Sequence, residues 1–396
     1  MRNGRFQILD GWRGVCALLV ALYHLPAYDH FYGLPFFQNS WLFVDFFFVL
    51  SGFVISHAYI GRLGSWLETR SFILRRFGRL WPPHVAVLAT LVGVELTKLI
   101  LLKFGFSIGH PAFSNGNNIG SIITNIFLIH ALGIQYGWTW NGPSWSISVE
   151  FYTYIVFAAL FMLPRKFSRS IAPSLAIVFI SAGIVFLFST HGIDISTYYA
   201  FFRCLFGFFV GHLTYRIWKS GSGRQLVEEF GAVEFIAVAL AVVFVSLVGR
   251  TVWSLAAPFI FGFVIWVFAH ESGPVSHLMN VRATALLGAW SYSIYMVHGL
   301  VVRVLAAVME LVTKTTGLPL KMSLPWKENT TELYFFGSQW ATDGLTVVYL
   351  VSVILLAAVT YNLIEKPGQR FFNSLAGMHA RKVSASGIVG AGAEPD

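Results

Sequence analysis

Leu9-Asp10-Gly11-Trp12-Arg13-Gly14 opens an apolar stretch that continues to Tyr23-His24. Eleven helical steps of about 100° bring His24 almost back to the face of Arg13, roughly 16 Å further along the helix axis. Ionisable groups inside a membrane span are costly, and they usually face the interior of a bundle or a wet cavity. We therefore expect this stretch to build a site rather than merely to anchor the chain.

The whole chain has the composition of a membrane protein. Hydrophobic residues make up 56% of it and charged residues only 11%, whereas a soluble protein carries about twice that share of charge. Apolar runs of about 20 residues recur, without the alternation that is typical of barrel strands. We predict an all-α fold, a polytopic transmembrane helical bundle with about ten spans and both termini cytoplasmic.

The spans are predicted from the apolar runs, at about 10–27, 40–60, 82–104, 143–163, 171–188, 198–217, 232–249, 252–269, 284–306 and 344–363. Segment 119–136 is apolar but short and contains polar residues, so we read it as a re-entrant or surface helix. Most basic residues then lie in the predicted cytoplasmic loops, as the positive-inside rule requires. The predicted outer loops keep only Lys103, Arg250, Lys314, Lys321 and Lys327.

We expect residues 1–370 to form one membrane-embedded domain and residues 371–396 a partly disordered cytoplasmic tail. Asp10 and Arg13 interrupt the first apolar stretch, which favours an uncleaved span over a signal peptide. The net charge of +9 comes from basic residues in the predicted loops and does not indicate nucleic-acid binding. The two cysteines, Cys16 and Cys204, have no metal-ligand spacing, and no metal site is predicted.

Four ionisable residues are predicted to lie at one depth, in the outer part of the bundle. They are His24, Asp45, Glu150 and His298, each placed by its position along its own predicted span. Two histidines and two carboxylates suit general acid–base catalysis or a proton relay. The alternatives are structural: Asp45 pairs with a buried arginine, and each histidine only hydrogen-bonds a neighbouring helix.

A second group lies on the predicted cytoplasmic side, in Arg75-Arg76-Phe77-Gly78-Arg79. Arg76 and Arg79 share a face if this stretch is helical. Closely spaced arginines bind phosphates through their charged, forked guanidinium groups. The alternative is that these residues only satisfy the positive-inside rule.

Several motifs resemble those of the acyltransferase-3 family of integral membrane acyltransferases, of the exopolysaccharide, O-antigen and Nod-factor acetyltransferase type. The resemblance covers most of the chain in the family's order. Trp12 and Ser144 stand where the family often has leucine. The matching segments are Asp10-Gly-Trp-Arg13-Gly with His24, Val44-Asp45-Phe-Phe-Phe-Val-Leu-Ser51-Gly52-Phe53, Arg76-x-x-Arg79, Gly142-Pro-Ser-Trp145-Ser146-Ile-Ser-Val-Glu150, Ser291-Tyr-Ser-Ile-Tyr-Met-Val-His298 and Glu365-Lys366-Pro367.

The resemblance implies transfer of an acyl group, usually acetyl from acetyl-CoA, to a hydroxyl of a saccharide or another envelope or secreted acceptor. It implies that His24 is the essential catalytic residue and that Arg76 and Arg79 contact the CoA phosphates. We add Arg13 and Ser51 to the predicted donor site. Glu150, Asp45 and His298 complete the predicted catalytic set.

Acyl-CoA is expected as a donor substrate, with no bound cofactor, and the protein is expected in the cytoplasmic (inner) membrane. Its expected partners are a saccharide or glycolipid acceptor, the lipid bilayer and polysaccharide-assembly proteins. Direct transfer in a ternary complex is favoured over an acyl-enzyme intermediate. Two other functions remain open from the sequence: a transporter or flippase of a glycolipid or polysaccharide, and a structural subunit of an envelope complex.

Overall fold

A computed structural model describes residues 6–105, 110–326 and 329–389. About 75% of the residues are helical. The first helices are α1 (Gln7–Tyr23), α2 (Pro35–Gln38), α3 (Phe43–Tyr59), α4 (Trp66–Lys103), α5 (Ile119–Ile126), α6 (Trp145–Met162), α7 (Arg165–Ser168) and α8 (Ala172–Phe188). They are followed by α9 (Ala200–Lys219), α10 (Arg224–Glu229), α11 (Ala232–Val248), α12 (Ala257–Phe268), α13 (Pro274–Met279), α14 (Arg282–Thr316), α15 (Gln339–Thr360) and α16 (Lys366–Val389).

Each predicted span coincides with a helix. Among the described residues, five helical stretches are long and apolar enough to cross a membrane, and three shorter apolar helices accompany them. The remaining predicted spans, α1 and α9, carry charged residues in their interiors. Segment 119–136 forms only α5 and an irregular turn, which is too short to cross a hydrocarbon core of about 30 Å. The number of spans and the side of each terminus stay predictions.

Helix α4 begins sixteen residues before the predicted span, because a capping box starts it. The Ser65 side chain accepts from the Glu68 amide, and the Glu68 carboxylate accepts from the Ser65 amide. The helix then continues through Pro82 and Pro83. The arginine-rich stretch predicted as a loop is therefore helical.

Reciprocal glycines bring two pairs of helices into close contact. A Cβ on Gly14 of α1 would overlap the backbone of Leu287, and a Cβ on Gly288 of α14 would overlap the Asp10 carbonyl. Helices α3 and α9 meet in the same way at Gly52 and Gly211. Small residues allow such close approach of helices in membrane proteins. These crossings fix α1, α3 and α14 around the bundle interior.

A hairpin of two strands, β1 (Lys321–Trp326) and β2 (Asn329–Tyr334), follows α14. It is antiparallel, and Lys321 pairs with Tyr334. The Tyr28 backbone amide donates to the Tyr334 carbonyl at 2.9 Å, and the Tyr334 backbone amide donates to the Pro26 carbonyl at 2.8 Å. The hairpin is thus attached to the chain just after His24. The sequence predicted only an outer loop here, and Lys327 lies outside the described residues.

The predicted tail begins within α16, which extends to Val389. Residues 390–396 lie outside the described residues. The boundary at residue 370 stays a prediction.

Candidate functional site

A cavity lies between α1, α3, α4, α6 and α14, and we call it the arginine cavity. Five of the predicted site residues line it: Arg13, Ser51, Arg76, Arg79 and Glu150. The sequence placed the two α4 arginines on the cytoplasmic side and Glu150 toward the outer side. The structure brings them into one space.

The α4 residues Arg76 and Arg79 both line this cavity. Arg76 donates from Nη2 to the Tyr59 hydroxyl at 3.2 Å and lies 5.3 Å from the centre of that ring. Its buried Nε has no hydrogen-bond partner among the described residues. The Arg79 charge interacts with the carboxylates of Glu365 and Glu150. Two arginines whose donors are not all used can bind an anion.

Arg13 lines the same cavity but is held by its own helix and by α14. Its Nε donates to the Ser291 hydroxyl at 2.7 Å, and its Nη2 donates to the Gly288 carbonyl at 3.0 Å. Asp10 forms an ion pair with it at 3.0 Å. The contacts of Arg13 therefore tie α1 to α14 beside the cavity.

A hydrogen-bonded row connects three side chains of the cavity wall. The Tyr154 hydroxyl donates to Glu150 Oε1 at 2.5 Å and lies 2.9 Å from Ser51 Oγ. Because Tyr154 has only one proton to donate, Ser51 must be the donor to it. Tyr154 was not predicted, although it lies one helical turn after Glu150 on the same face.

His24 lies in a second pocket, formed by the end of α1, residues 25–39, Arg250 and strand β2. We call it the His24 pocket. His24 Nδ1 lies 2.8 Å from the Val20 carbonyl. A carbonyl only accepts, so Nδ1 carries the proton, and Nε2 of the neutral ring keeps its lone pair. This is the form that a general base requires.

His298 packs against His24, with ring centres 4.9 Å apart. It is fully buried, and neither ring nitrogen has a hydrogen-bond partner among the described residues. The centre of the Tyr295 ring lies 5.6 Å from that of His298, and Tyr295 lines the arginine cavity. His298 and Tyr295 thus lie between the two cavities. The sequence predicted that the two histidines lie at one depth, and the structure places them in contact.

Asp45 lies in neither cavity, so the prediction that it joins the other three ionisable residues is wrong. Arg203 binds it in a two-pronged contact, with Nε to Oδ1 at 2.9 Å and Nη2 to Oδ2 at 2.7 Å. Both side chains are at most 1% exposed. The alternative of a buried ion pair is the one found. The partner was missed, although Arg203 is itself an arginine inside a predicted span.

The catalytic grouping expected from the sequence is therefore divided. His24 and His298 form one pair, and Glu150 lies with the arginines of the other cavity. The arrangement can hold an anion beside Arg76 and Arg79, and it can accept a proton at His24. Besides Tyr154, the sequence missed Tyr59 and Arg250 as parts of the site, because their contacts depend on tertiary structure.

Comparison with known proteins identifies the chemistry of the chain. The model of the acyltransferase domain of the acyltransferase-3 family matches residues 6–362. The chain is 25% identical to the putative peptidoglycan O-acetyltransferase YrhL of Bacillus subtilis, covering 94% of this chain and 57% of that protein. It is 27% identical to acyltransferase MdmB of Streptomyces mycarofaciens, over 66% of this chain and 67% of that protein.

The chain is also 34% identical to protein 2 in the picA locus of Rhizobium radiobacter, covering 39% of this chain and 81% of that protein. No solved structure matches significantly. Proteins of the matched family are membrane proteins, in agreement with the long apolar helices. The family match spans most of the chain, so this protein belongs to the acyltransferase-3 family and is an acyltransferase.

Proposed function

We propose that this acyltransferase transfers an acetyl group from acetyl-CoA to a hydroxyl of a saccharide or another cell-envelope or secreted acceptor. The main supporting observation is that Tyr295 and His298 connect the arginine cavity to His24, whose Nε2 is free to accept a proton. A relative over 94% of the chain is named as an O-acetyltransferase. Family membership as an acyltransferase argues against a transporter, a flippase or a structural subunit.

The donor would bind through its phosphates to Arg76 and Arg79. Their forked guanidinium groups suit phosphate oxygens, and the buried Arg76 Nε has a hydrogen bond still to make. The extended arm of CoA would follow the cavity along α3, from Ile55 toward Val44. Arg13 would support this wall by holding α1 against α14.

His24 would act on the acceptor hydroxyl. Nε2 takes the hydroxyl proton while the oxygen attacks the thioester carbonyl carbon, forming the new C–O bond. The tetrahedral intermediate collapses, the C–S bond breaks, and the CoA sulfur takes the proton from His24. The hydrogen bond from Nδ1 to the Val20 carbonyl keeps the imidazole ring in the same orientation during both proton transfers. Direct transfer needs no enzyme nucleophile, and the described cysteines, Cys16 and Cys204, are buried.

We further propose that the protein lies in the cytoplasmic (inner) membrane, where acetyl-CoA reaches one face and envelope saccharides the other. Its partners would be a saccharide or glycolipid acceptor and the proteins that assemble polysaccharide. These partners are tested separately, by comparing the acyl esters of surface and secreted glycans with and without the protein.

The activity is tested with radiolabelled acetyl-CoA and the purified full-length protein in lipid nanodiscs. Label should move to an added envelope glycan, and without acceptor the thioester should be hydrolysed slowly. His24→Ala should lose both reactions, whereas the exposed His191→Ala is a matched control. Absence of label transfer to every glycan tried, together with no thioester hydrolysis, would contradict the acetyl-CoA proposal.

A further inference from the structure

Alternating charges connect the bundle interior to the His24 pocket. The buried Asp45–Arg203 pair continues to Asp194, whose Oδ1 lies 3.6 Å from Arg203 Nη1. Asp194 Oδ2 lies 2.6 Å from Arg250 Nε. Arg250 Nη2 then donates to the Tyr23 hydroxyl at 3.0 Å. The row ends beside the proposed base, since the Tyr23 ring packs edge-on against His24 at 4.9 Å.

Arg250 is the charged member of this row that lines the His24 pocket. Its side chain is 41% exposed, while the Asp194 side chain is 24% exposed and does not line the pocket. The guanidinium also lies 5.7 Å from the centre of the Trp41 ring. Contacts with Asp194, Tyr23 and Trp41 fix its orientation. A guanidinium has five N–H groups, and Nη1 makes no hydrogen bond with a described residue.

The lining of the pocket offers no carboxylate that competes for this cation. Asp29 lines the pocket but is only 3% exposed. It already accepts from the amides of Phe31 and Tyr32 and from the Thr346 hydroxyl. The accessible charge of the described pocket is therefore positive and lies on Arg250.

We propose that Arg250 binds an anionic group of the acceptor, a carboxylate or a phosphate, in the His24 pocket. This inference rests on the proposed function and specifies its acceptor as an acidic saccharide. A fixed guanidinium loses little conformational freedom on binding and matches both anions with two parallel hydrogen bonds. An anion held here also stabilises the imidazolium that forms when His24 takes the hydroxyl proton.

Binding is tested first, because it needs no donor. The probes are a glucose trisaccharide, the matching trisaccharide with one glucuronic acid, and a singly phosphorylated glucose trisaccharide. Titration calorimetry uses the full-length protein in nanodiscs. We expect both anionic probes, or one of them, to bind the wild type roughly 10- to 100-fold more tightly than the neutral probe. The stronger of the two identifies carboxylate or phosphate as the natural group.

Arg250→Gln should abolish this preference and leave binding of the neutral probe unchanged. Arg250→Lys should keep part of it, because an ammonium retains the charge but not the fork. Lys314→Gln is the matched control, since Lys314 is exposed, pairs with Glu310 and lies outside the pocket. Arg250→Gln and Arg250→Lys should raise the KM for the anionic acceptor and leave the KM for acetyl-CoA unchanged, and Lys314→Gln should change neither.

Equal binding of anionic and neutral probes by the wild type overturns the inference. So does an unchanged preference in an Arg250→Gln protein that elutes as a single species and has the wild-type melting temperature. If Arg250→Gln does not fold, Arg250→Lys provides the test. A reduced preference for the anionic probes in Arg250→Lys supports the inference, and the full wild-type preference contradicts a two-pronged contact by the guanidinium. Anion binding that depends on Arg250, without transfer from acetyl-CoA, would support this site while contradicting the proposed function.

Discussion

At the scale of single residues, His24 gains its proposed role from one backbone contact. The bond from Nδ1 to Val20 fixes the tautomer and leaves Nε2 as the base. We predict that His24→Ala reduces the kcat of acetyl transfer by about 10²–10⁴-fold, which is the usual contribution of a general base. Steady-state kinetics on purified protein measure this. The KM for acetyl-CoA should stay near the wild-type value, and substantial turnover by folded His24→Ala would remove His24 from the mechanism.

The arginine pair gives the complementary prediction for the donor. Arg76→Ala and Arg79→Ala should each raise the KM for acetyl-CoA, by roughly tenfold or more, and change the KM for the acceptor little. Lysine at either position should restore binding only in part.

The neighbouring Arg75 offers a matched control. It is exposed and does not line the arginine cavity, so Arg75→Ala should behave as the wild type. An equal rise in KM for all three alanine variants would show that the total positive charge of this part of α4, and not the cavity, matters for the donor.

The sequence predicted contacts correctly where depth along a predicted span was enough to show which residues meet. His24 and His298 were placed at one depth and are in contact. Asp45 was misplaced, because depth along a span does not say which face of the helix is turned to which neighbour. Its contact with Arg203, 158 positions away, is decided by the packing of α3 against α9.

At the scale of elements, apolar length predicted the helices, and local capping and pairing set their ends. The Ser65–Glu68 capping box extends α4 backward beyond the predicted span. The hairpin was missed because its pairing with Pro26 and Tyr28 lies far along the chain from β2. Glycine crossings were also invisible from one sequence, since a glycine inside an apolar run does not reveal its neighbour.

We predict that Gly52→Ala destabilises the protein, because its new Cβ would overlap the Phe208 carbonyl oxygen of α9. A backbone oxygen cannot rotate aside, so α3 and α9 must separate, at a cost of about 1–3 kcal/mol. The melting temperature in detergent should fall. Gly183→Ala is the control, since nothing lies within 4 Å of its new Cβ and alanine favours a helix. A Gly52→Ala protein as stable as the wild type would mean that α3 and α9 can separate at this crossing without cost.

At the scale of the whole molecule, α1 connects the two cavities. Arg13 lines the arginine cavity and His24 the other pocket, roughly 16 Å apart along the helix. The distribution of basic residues predicts which cavity opens to the cytoplasm. The residues between the cavities, His298 and Tyr295, then mark where donor and acceptor would meet. This joint arrangement could not be read from the sequence, which placed Glu150 with His24 and away from the arginines.

The last prediction concerns the side from which each substrate arrives. If Arg76 and Arg79 face the cytoplasm, inside-out vesicles loaded with an acceptor glycan should acetylate it when acetyl-CoA is added outside. Right-side-out vesicles with the acceptor outside should need acetyl-CoA within their lumen. Vesicles carrying His24→Ala correct for leakage and spontaneous transfer. The physical reason is that CoA is a large anion that does not cross the bilayer, so only a path through the arginine cavity can bring its thioester toward His24. Equal use of acetyl-CoA from both faces would contradict this path and leave the acyltransferase assignment intact.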